Sequence, residues 1–103
     1  MFARVTRFEG EPDQLEAAIK LVKETIVPAA KRLQGFKGGY WLVDRASGKG
    51  FSVTLFESES ALHATEDDAA QLRSRASSVT KITAVERYEV VAEARVEELA
   101  PAR

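Results

Sequence analysis

Few side chains in this sequence of 103 residues could move a proton near neutral pH. His63 is its one histidine. Because an unperturbed imidazole titrates close to neutrality, His63 is the predicted general base if the protein performs proton chemistry. Glu66 and Asp67 follow it by three and four residues, a spacing that would place a carboxylate beside the ring on a helix. The same spacing is equally typical of a solvated helix face with a surface ion pair.

The composition excludes several kinds of catalytic centre. Without cysteine, the chain has no disulfide, no thiol nucleophile and no cysteine-ligated zinc or iron–sulfur cluster. A single histidine also cannot supply the two-histidine ligand set of common iron sites. The sequence therefore predicts neither a metal ion nor a cofactor.

Net charge and hydropathy argue against two kinds of partner. Fifteen basic and sixteen acidic side chains give a net charge of -1, which leaves no positive excess for a phosphate backbone, so we expect no nucleic acid partner. No stretch approaches the ~18–20 consecutive apolar residues of a membrane span, and the N-terminal segment is charged and alternating. We therefore expect a cytoplasmic protein with no membrane partner.

Four aromatic side chains are candidates for lining a cavity in which a flat substrate would stack. They are Tyr40, Trp41, Phe56 and Tyr88, all within stretches that are rich in β-forming residues. Such a cavity would lie between a sheet and its helices or at the seam of a dimer. Packing in an ordinary core is the alternative interpretation.

The second group of candidate binding residues consists of arginines within predicted strands, Arg4, Arg7 and Arg87. Arg4 shares a strand face with Phe2 and Phe8, and on the cavity side its guanidinium could bind a carboxylate or a phenolate-like oxygen. The alternative for such arginines is a pair between strands or between subunits, with Glu86 or Glu89 as the acid.

The spacing of apolar residues predicts the element order β-α-β-β-α-β. Strands are expected where β-branched and aromatic residues recur, over 2–8, 36–44, 50–57 and 82–96. Apolar residues three and four apart predict two helices, the first over 12–33 and the second from a Ser58 or Ser60 cap to residue 76. Pro28 should kink or end the first helix near Val27.

This order predicts one ferredoxin-like α+β domain with an antiparallel sheet, over residues 1–96. The last residues, 97–103, have no periodicity and are expected to form a flexible tail.

Large apolar side chains occur on both faces of three predicted strands. In the second strand, for example, Tyr40 and Leu42 alternate with Trp41 and Val43. Two helices cover only one sheet face, so the other face would be exposed in a monomer. We expect this uncovered face to carry the single tryptophan. We therefore expect a homodimer whose uncovered sheet faces pack together, with residues 91–96 pairing with the partner's edge. The alternative is that these apolar residues are scattered singly and tolerated in water.

Several segments resemble the dimeric α/β-barrel superfamily, and the antibiotic biosynthesis monooxygenase-like (ABM) group in particular. They are the end of the first helix, the entry to the second strand, the hairpin and the entry to the second helix, at residues 26–28, 34–41, 44–48 and 56–62. The resemblance implies a dimeric α/β barrel. It also implies one of several activities, since the superfamily includes cofactor-free monooxygenases that act on polycyclic aromatics, haem-degrading enzymes, isomerases and dechlorinases.

The sequence departs from the pattern of the haem-degrading relatives. Phe56 stands where those proteins have a tryptophan, and His63 comes early in its helix. The chain also contains no asparagine to match the one on their first strand. These departures argue against haem degradation.

The leading functional hypothesis is a cofactor-independent monooxygenase that acts on a small flat aromatic compound. His63 would be its base, and Tyr40 and Trp41 would shape its pocket. A non-catalytic small-ligand-binding or stress-related dimer is the alternative, and a purely structural dimer with a filled core is a third possibility. We expect the orientation of His63 to discriminate between them.

Overall fold

A computed structural model describes residues 1–96 as a four-stranded antiparallel sheet with helices on one face. The strand order is β2-β3-β1-β4, and the strands are β1 (Phe2–Glu9), β2 (Phe36–Val43), β3 (Lys49–Phe56) and β4 (Lys81–Glu89). The predicted β-α-β-β-α-β order and ferredoxin-like α+β class are confirmed. The predicted tail, 97–103, lies outside the described residues.

The first helical region changes its hydrogen-bond pattern along its length. It begins with a 3₁₀ turn at Pro12–Gln14, continues as α1 (Leu15–Leu21), passes through a π-helical turn at Val22–Ile26 and ends as α2 (Val27–Ala30). Pro28 lies in the first turn of α2, where its missing N–H removes least from the hydrogen-bond ladder. The predicted interruption is therefore a π turn before the proline, and the helix continues beyond it.

Gly35 closes this helical region. Its φ of 76° is left-handed, and a Cβ atom built on it would lie 2.5 Å from the Cβ atom of Ala61. Its carbonyl accepts a hydrogen bond from the N–H of Glu57 at 2.9 Å. Only glycine satisfies both the backbone conformation and this close approach to the second helical region.

The second helical region is broken, although one continuous helix was expected. Ser58 caps α3 (Glu59–Ala64), and its Oγ accepts a hydrogen bond from the N–H of Ala61 at 3.1 Å. Thr65 then interrupts the helix with φ −102° and ψ 8°, and α4 (Glu66–Ala76) follows. The Thr65 hydroxyl donates to helical carbonyls, an alternative to regular helix that threonine offers.

The last strand is shorter than predicted. β4 ends at Glu89, and the N–H of Val90 donates to the carbonyl of Met1 at 2.9 Å. Residues 91–96 are outside the sheet and exposed, with Val91 and Val96 at 87% and 96%. Their predicted pairing with a partner's edge stays a prediction.

One sheet face is covered by the helices and the other is open. The open face includes the cross-strand pairs Tyr40–Val53 and Leu42–Phe51. Tyr40, Leu42 and Tyr88 are 69%, 42% and 51% exposed. Trp41 points to the covered face, so its expected position on the uncovered face is wrong. The open face nevertheless carries large apolar side chains, those of tyrosine, leucine and phenylalanine.

The packed core occupies only one end of the covered face. Phe56 and Leu62 are 0% and 2% exposed there, and the ring of Phe36 meets that of Phe56 edge to face at 5.9 Å. No helix in the described residues is long and apolar enough to cross a membrane.

Candidate functional site

A cavity of about 480 Å³ occupies the rest of the space between the sheet and the helices. Most of its wall is apolar and comes from the first helical region, from α4 and from the covered face of the sheet. Its apolar lining includes Phe8, Ala18, Ile19, Leu21, Val22, Ile26, Val27, Ala30, Leu33, Trp41, Val43, Ala69, Leu72, Ala76, Val79 and Ile82.

Short hydroxyl side chains form the floor of this cavity at the centre of the sheet. Thr6 and Ser52 face each other across β1 and β3, and each is 8% exposed. Thr54 lies in the next row, opposite Arg4. These side chains are too small to reach the helices, so an open volume remains where larger residues would pack.

Trp41 forms the aromatic wall of the cavity. It lies in the same row as Ser52, and its side chain stands against the backbone of Gly39. A Cβ atom at Gly39 would lie 3.2 Å from the Trp41 ring and 3.0 Å from the carbonyl oxygen of Val53. Glycine therefore lets the indole lie close along its own strand while it lines the cavity.

Arg4 marks the border between the cavity and the packed core. It is 2% exposed, and its Nη2 donates to the carbonyl of Leu62 at 2.9 Å and to Thr65 Oγ1 at 3.2 Å. Its guanidinium carbon lies 5.0 Å from the centroid of the Phe56 ring. The Thr65 break therefore gives a buried guanidinium two oxygen acceptors at the junction of α3 and α4.

The acid beside Arg4 is Glu66, at 3.3 Å between Nη2 and Oε1. The alternative with Glu86 or Glu89 is wrong for this arginine. Glu66 also accepts two hydrogen bonds from Arg87, at 2.5 and 2.8 Å. These bonds, with the charge of Arg4, lower the pKa of Glu66 to about 2, so it is ionised at neutral pH.

Arg73 borders the same cavity from α4. Burial lowers its pKa from the ordinary arginine range, and the charge of Arg87 lowers it further. Its Nη1 is buried without a hydrogen-bond partner among the described residues, and so is Nε of Arg4. The sequence reasoning missed Arg73, Glu66 and the hydroxyl floor. Small polar residues on the covered face of the central strands were the available signal for a cavity.

The predicted aromatic site residues are divided between three places. Trp41 lines the cavity, whereas Phe56 is in the packed core. Tyr40 borders the cavity at β2, but strand alternation directs its side chain to the open face, where Tyr88 also lies. The structure therefore brings Arg4 and Trp41 to one cavity and places the other aromatic side chains elsewhere.

His63 lies on α3 away from the cavity wall. Its side chain is 66% exposed, and its Nε2 is 4.0 Å from Glu59 Oε2. The expected partner Glu66 is instead engaged by Arg4 and Arg87. The catalytic role of His63 stays a prediction that this geometry does not support. Among residues 1–96, no group of three or more acidic or histidine side chains is placed to hold a metal ion.

On the open face, Arg7 has the strand-to-strand ion pair expected as the alternative for these arginines. Its Nε lies 3.0 Å from Glu86 Oε1, and its guanidinium carbon is 5.5 Å from the Phe51 ring centroid.

Comparison with curated proteins gives uncharacterized relatives from Mycobacterium tuberculosis, Rv2557 and Rv2558 among them, and no protein-family model matches the chain. Rv2557 is 29% identical over 93 residues, which are 89% of this chain and 42% of the relative. Rv2558 is 32% identical over 76 residues, which are 74% of this chain and 32% of the relative. The chain therefore spans less than half the length of these relatives.

Comparison with solved structures confirms the fold. A putative antibiotic biosynthesis monooxygenase from Deinococcus radiodurans superposes with a TM-score of 0.73 at 12% identity, over 95% of this chain and 100% of that one. A monooxygenase from the gene ActVA-Orf6 of Streptomyces coelicolor, in complex with nanaomycin D, gives 0.67 at 16% identity, over 94% and 92%. A dimeric ferredoxin-like protein from an uncultured marine organism gives 0.70 at 18% identity, over 93% and 100%. The chain therefore has the ferredoxin-like fold of these proteins.

Proposed function

We propose that this protein binds a small, flat, largely apolar compound in the cavity beside Trp41. The cavity itself carries this proposal. Its volume of about 480 Å³ is in the range of small-molecule sites, and an aromatic ring stands in a mostly aliphatic wall. A flat ligand would stack on the indole and fill the space above the short hydroxyl side chains, where it would make van der Waals contacts.

The unit that binds is proposed to be a homodimer joined through the open sheet face. Large apolar side chains are exposed on that face at both edges of the sheet, Tyr40 and Leu42 on β2 and Tyr88 on β4, and exposed apolar side chains of this kind favour an interface. The dimeric ferredoxin-like neighbour supports the same arrangement. We expect light scattering to give the mass of two chains.

The dimer can be tested with a charge placed on this face. Leu42→Glu should convert the dimer to a monomer, because each protomer would bury an unpaired carboxylate in the interface. Ala46→Glu adds the same charge on the exposed hairpin and should leave the dimer intact. A wild-type protein that is monomeric at micromolar concentration would contradict the proposal.

Ligand binding can be followed through Trp41, because it is the only tryptophan in the chain. Titration with a panel of flat bicyclic and tricyclic aromatic compounds should produce a saturable change in its fluorescence. The same compounds should raise the melting temperature, since they bind the folded state alone. N-acetyltryptophanamide controls for absorbance by the ligand. A panel that changes neither signal would overturn the proposed function.

Cofactor-independent oxygenation of such a compound is a second candidate function. The ActVA-Orf6 monooxygenase, which shares the fold and holds nanaomycin D, favours it. The exposed position of His63 instead favours the non-catalytic alternative, a ligand-binding or stress-related dimer. Measuring oxygen uptake with a compound that already binds separates the two. Turnover would establish an enzyme, and saturable binding without uptake would establish a binding protein.

A further inference from the structure

Two buried arginine donors at the cavity have no acceptor. Arg4 and Arg73 both border the cavity, and Nε of Arg4 and Nη1 of Arg73 have no hydrogen-bond partner among the described residues. Arg4 is only 2% exposed. Buried polar groups in native proteins are nearly always paired, and an unpaired charged donor is especially costly. The two N–H groups therefore indicate an acceptor that the protein does not itself provide.

Positive charges outnumber negative charges around these two donors. Three guanidinium groups, those of Arg4, Arg73 and Arg87, act on the single carboxylate of Glu66. That carboxylate is already bound by Arg87 at 2.5 and 2.8 Å and by Arg4 at 3.3 Å. Arg73 forms no ion pair in the described part of the chain. Arg4 is buried and Arg73 is half-buried, and an anion would stabilise their positive excess.

The remaining charged groups on the cavity wall have the same sign. Lys23 and Arg45 also border the cavity, so every charged side chain on its described wall is basic. Arg45 is paired with Glu16 at the surface, and Lys23 is exposed. The positive charge without a balancing acid inside the cavity is therefore that of Arg4 and Arg73.

We infer that Arg4 and Arg73 form an anion subsite at one end of the cavity, which takes a carboxylate or phenolate oxygen of a flat aromatic ligand. This inference rests on the proposed function and specifies its substrate class. The aromatic part of the ligand lies along Trp41, and its charged oxygen accepts the unused N–H groups. Guanidinium donors suit this task because their planar geometry matches a carboxylate and they stay charged when buried.

The inference predicts that ligand charge, more than ligand shape, sets the affinity. Isothermal titration calorimetry at neutral pH would compare 2-naphthoate with 2-naphthamide, which share a ring system and differ in charge. The wild-type protein should bind the acid at least about tenfold more tightly, the effect of one strong charge-assisted interaction. Equal affinities would overturn the anion subsite and leave the proposed function intact. No binding of either compound would overturn both.

Substitution on α4 then tests the assignment to Arg73. Arg73→Gln should weaken binding of the acid much more than binding of the amide, and so remove most of the preference for the acid. Arg73→Lys, which keeps the charge, should recover much of it. Arg75→Gln removes the same charge from an exposed position on the same helix and should bind like the wild type. A full preference for the acid in Arg73→Gln would show that other groups hold the anion. The wild-type comparison decides the inference even if a variant folds poorly.

Discussion

The two ends of the layer between sheet and helices are built by the same strands, but one end is packed and the other is hollow. At the packed end, Phe36, Phe56 and Phe2 lie in one row across three strands. Two rows away, Trp41 is followed across the same strands by Ser52 and Thr6. Three rings fill the first row, whereas short hydroxyl side chains occupy β3 and β1 in the second. Side-chain size in the sheet therefore contributes to the difference between the packed end and the hollow end.

Arg4 lies between the two ends and belongs to both. Its guanidinium packs on Phe56 of the packed end, and its Nη2 is held by Leu62 and Thr65. Its unpaired Nε belongs to a side chain that borders the cavity. The packed end therefore serves as the rigid support that holds a charged group beside the cavity, which is what a preorganised binding site requires.

The two ends should differ most in the free energy of unfolding that is lost when a side chain is removed. Phe56→Ala should lower the free energy of unfolding by about 3–5 kcal/mol, because a fully buried ring leaves a void and Arg4 loses its aromatic contact. Leu72→Ala, on the half-buried cavity wall, should cost only about 1–2 kcal/mol. Urea unfolding of both variants measures the difference. Costs within about 1 kcal/mol of each other would contradict the distinction.

Enlarging a side chain should have opposite effects at the two ends. Ala61→Val should destabilise the protein by about 1–3 kcal/mol, because Ala61 is 6% exposed and lies against Gly35. Ser52→Val should stabilise it by about 1 kcal/mol, since the added methyl groups enter the cavity and no side-chain hydrogen bond of Ser52 is found in the described residues.

Thermal unfolding and ligand titration of Ala61→Val and Ser52→Val test the difference between the packed end and the hollow end. Ser52→Val should also weaken ligand binding, since it reduces the volume of the cavity. If it destabilised the protein as Ala61→Val does, the cavity end would be packed as tightly as the core.

The sequence predicts the packed end better than the hollow end, for a physical reason. Apolar periodicity and the Ser58 cap are local signals, so they predict the element order, and alternation along β1 correctly puts Arg4 on the face of Phe2 and Phe8. A cavity is defined by what is absent between distant elements. Arg4 and Arg73 border the same cavity from a strand and a helix that are distant in sequence. The break at Thr65 is also hard to predict, because tertiary contacts such as the one with Arg4 decide whether a hydroxyl competes with the helix.

Alternation along β2 was also clear from the sequence, but it could not say which of two apolar faces the helices cover. Trp41 was for this reason expected on the uncovered face. The exposure of His63 could not be predicted for a similar reason, because a helix position near a polar turn gives no indication of which side meets the sheet.

A pH-dependent effect is predicted for Glu66, the carboxylate at the border of the two ends. Hydrogen bonds from Arg87 hold the pKa of Glu66 at about 2, below its ordinary value of 4.5. The ionised carboxylate therefore contributes stability in full above pH 4.5, and this contribution is lost as the pH falls from 4.5 towards 2. The loss should be about 1–2 kcal/mol, because the pair is partly open to solvent.

Urea unfolding at several pH values between neutrality and pH 2 measures this dependence. Glu66→Gln should show a flatter pH dependence in the acid range than the wild type. Glu59→Gln removes an exposed carboxylate on α3 and should follow the wild-type curve. If the two variants had the same pH dependence, Glu66 would not be the acid that joins the packed end to the arginines of the cavity, and Arg4 would need another source of compensation.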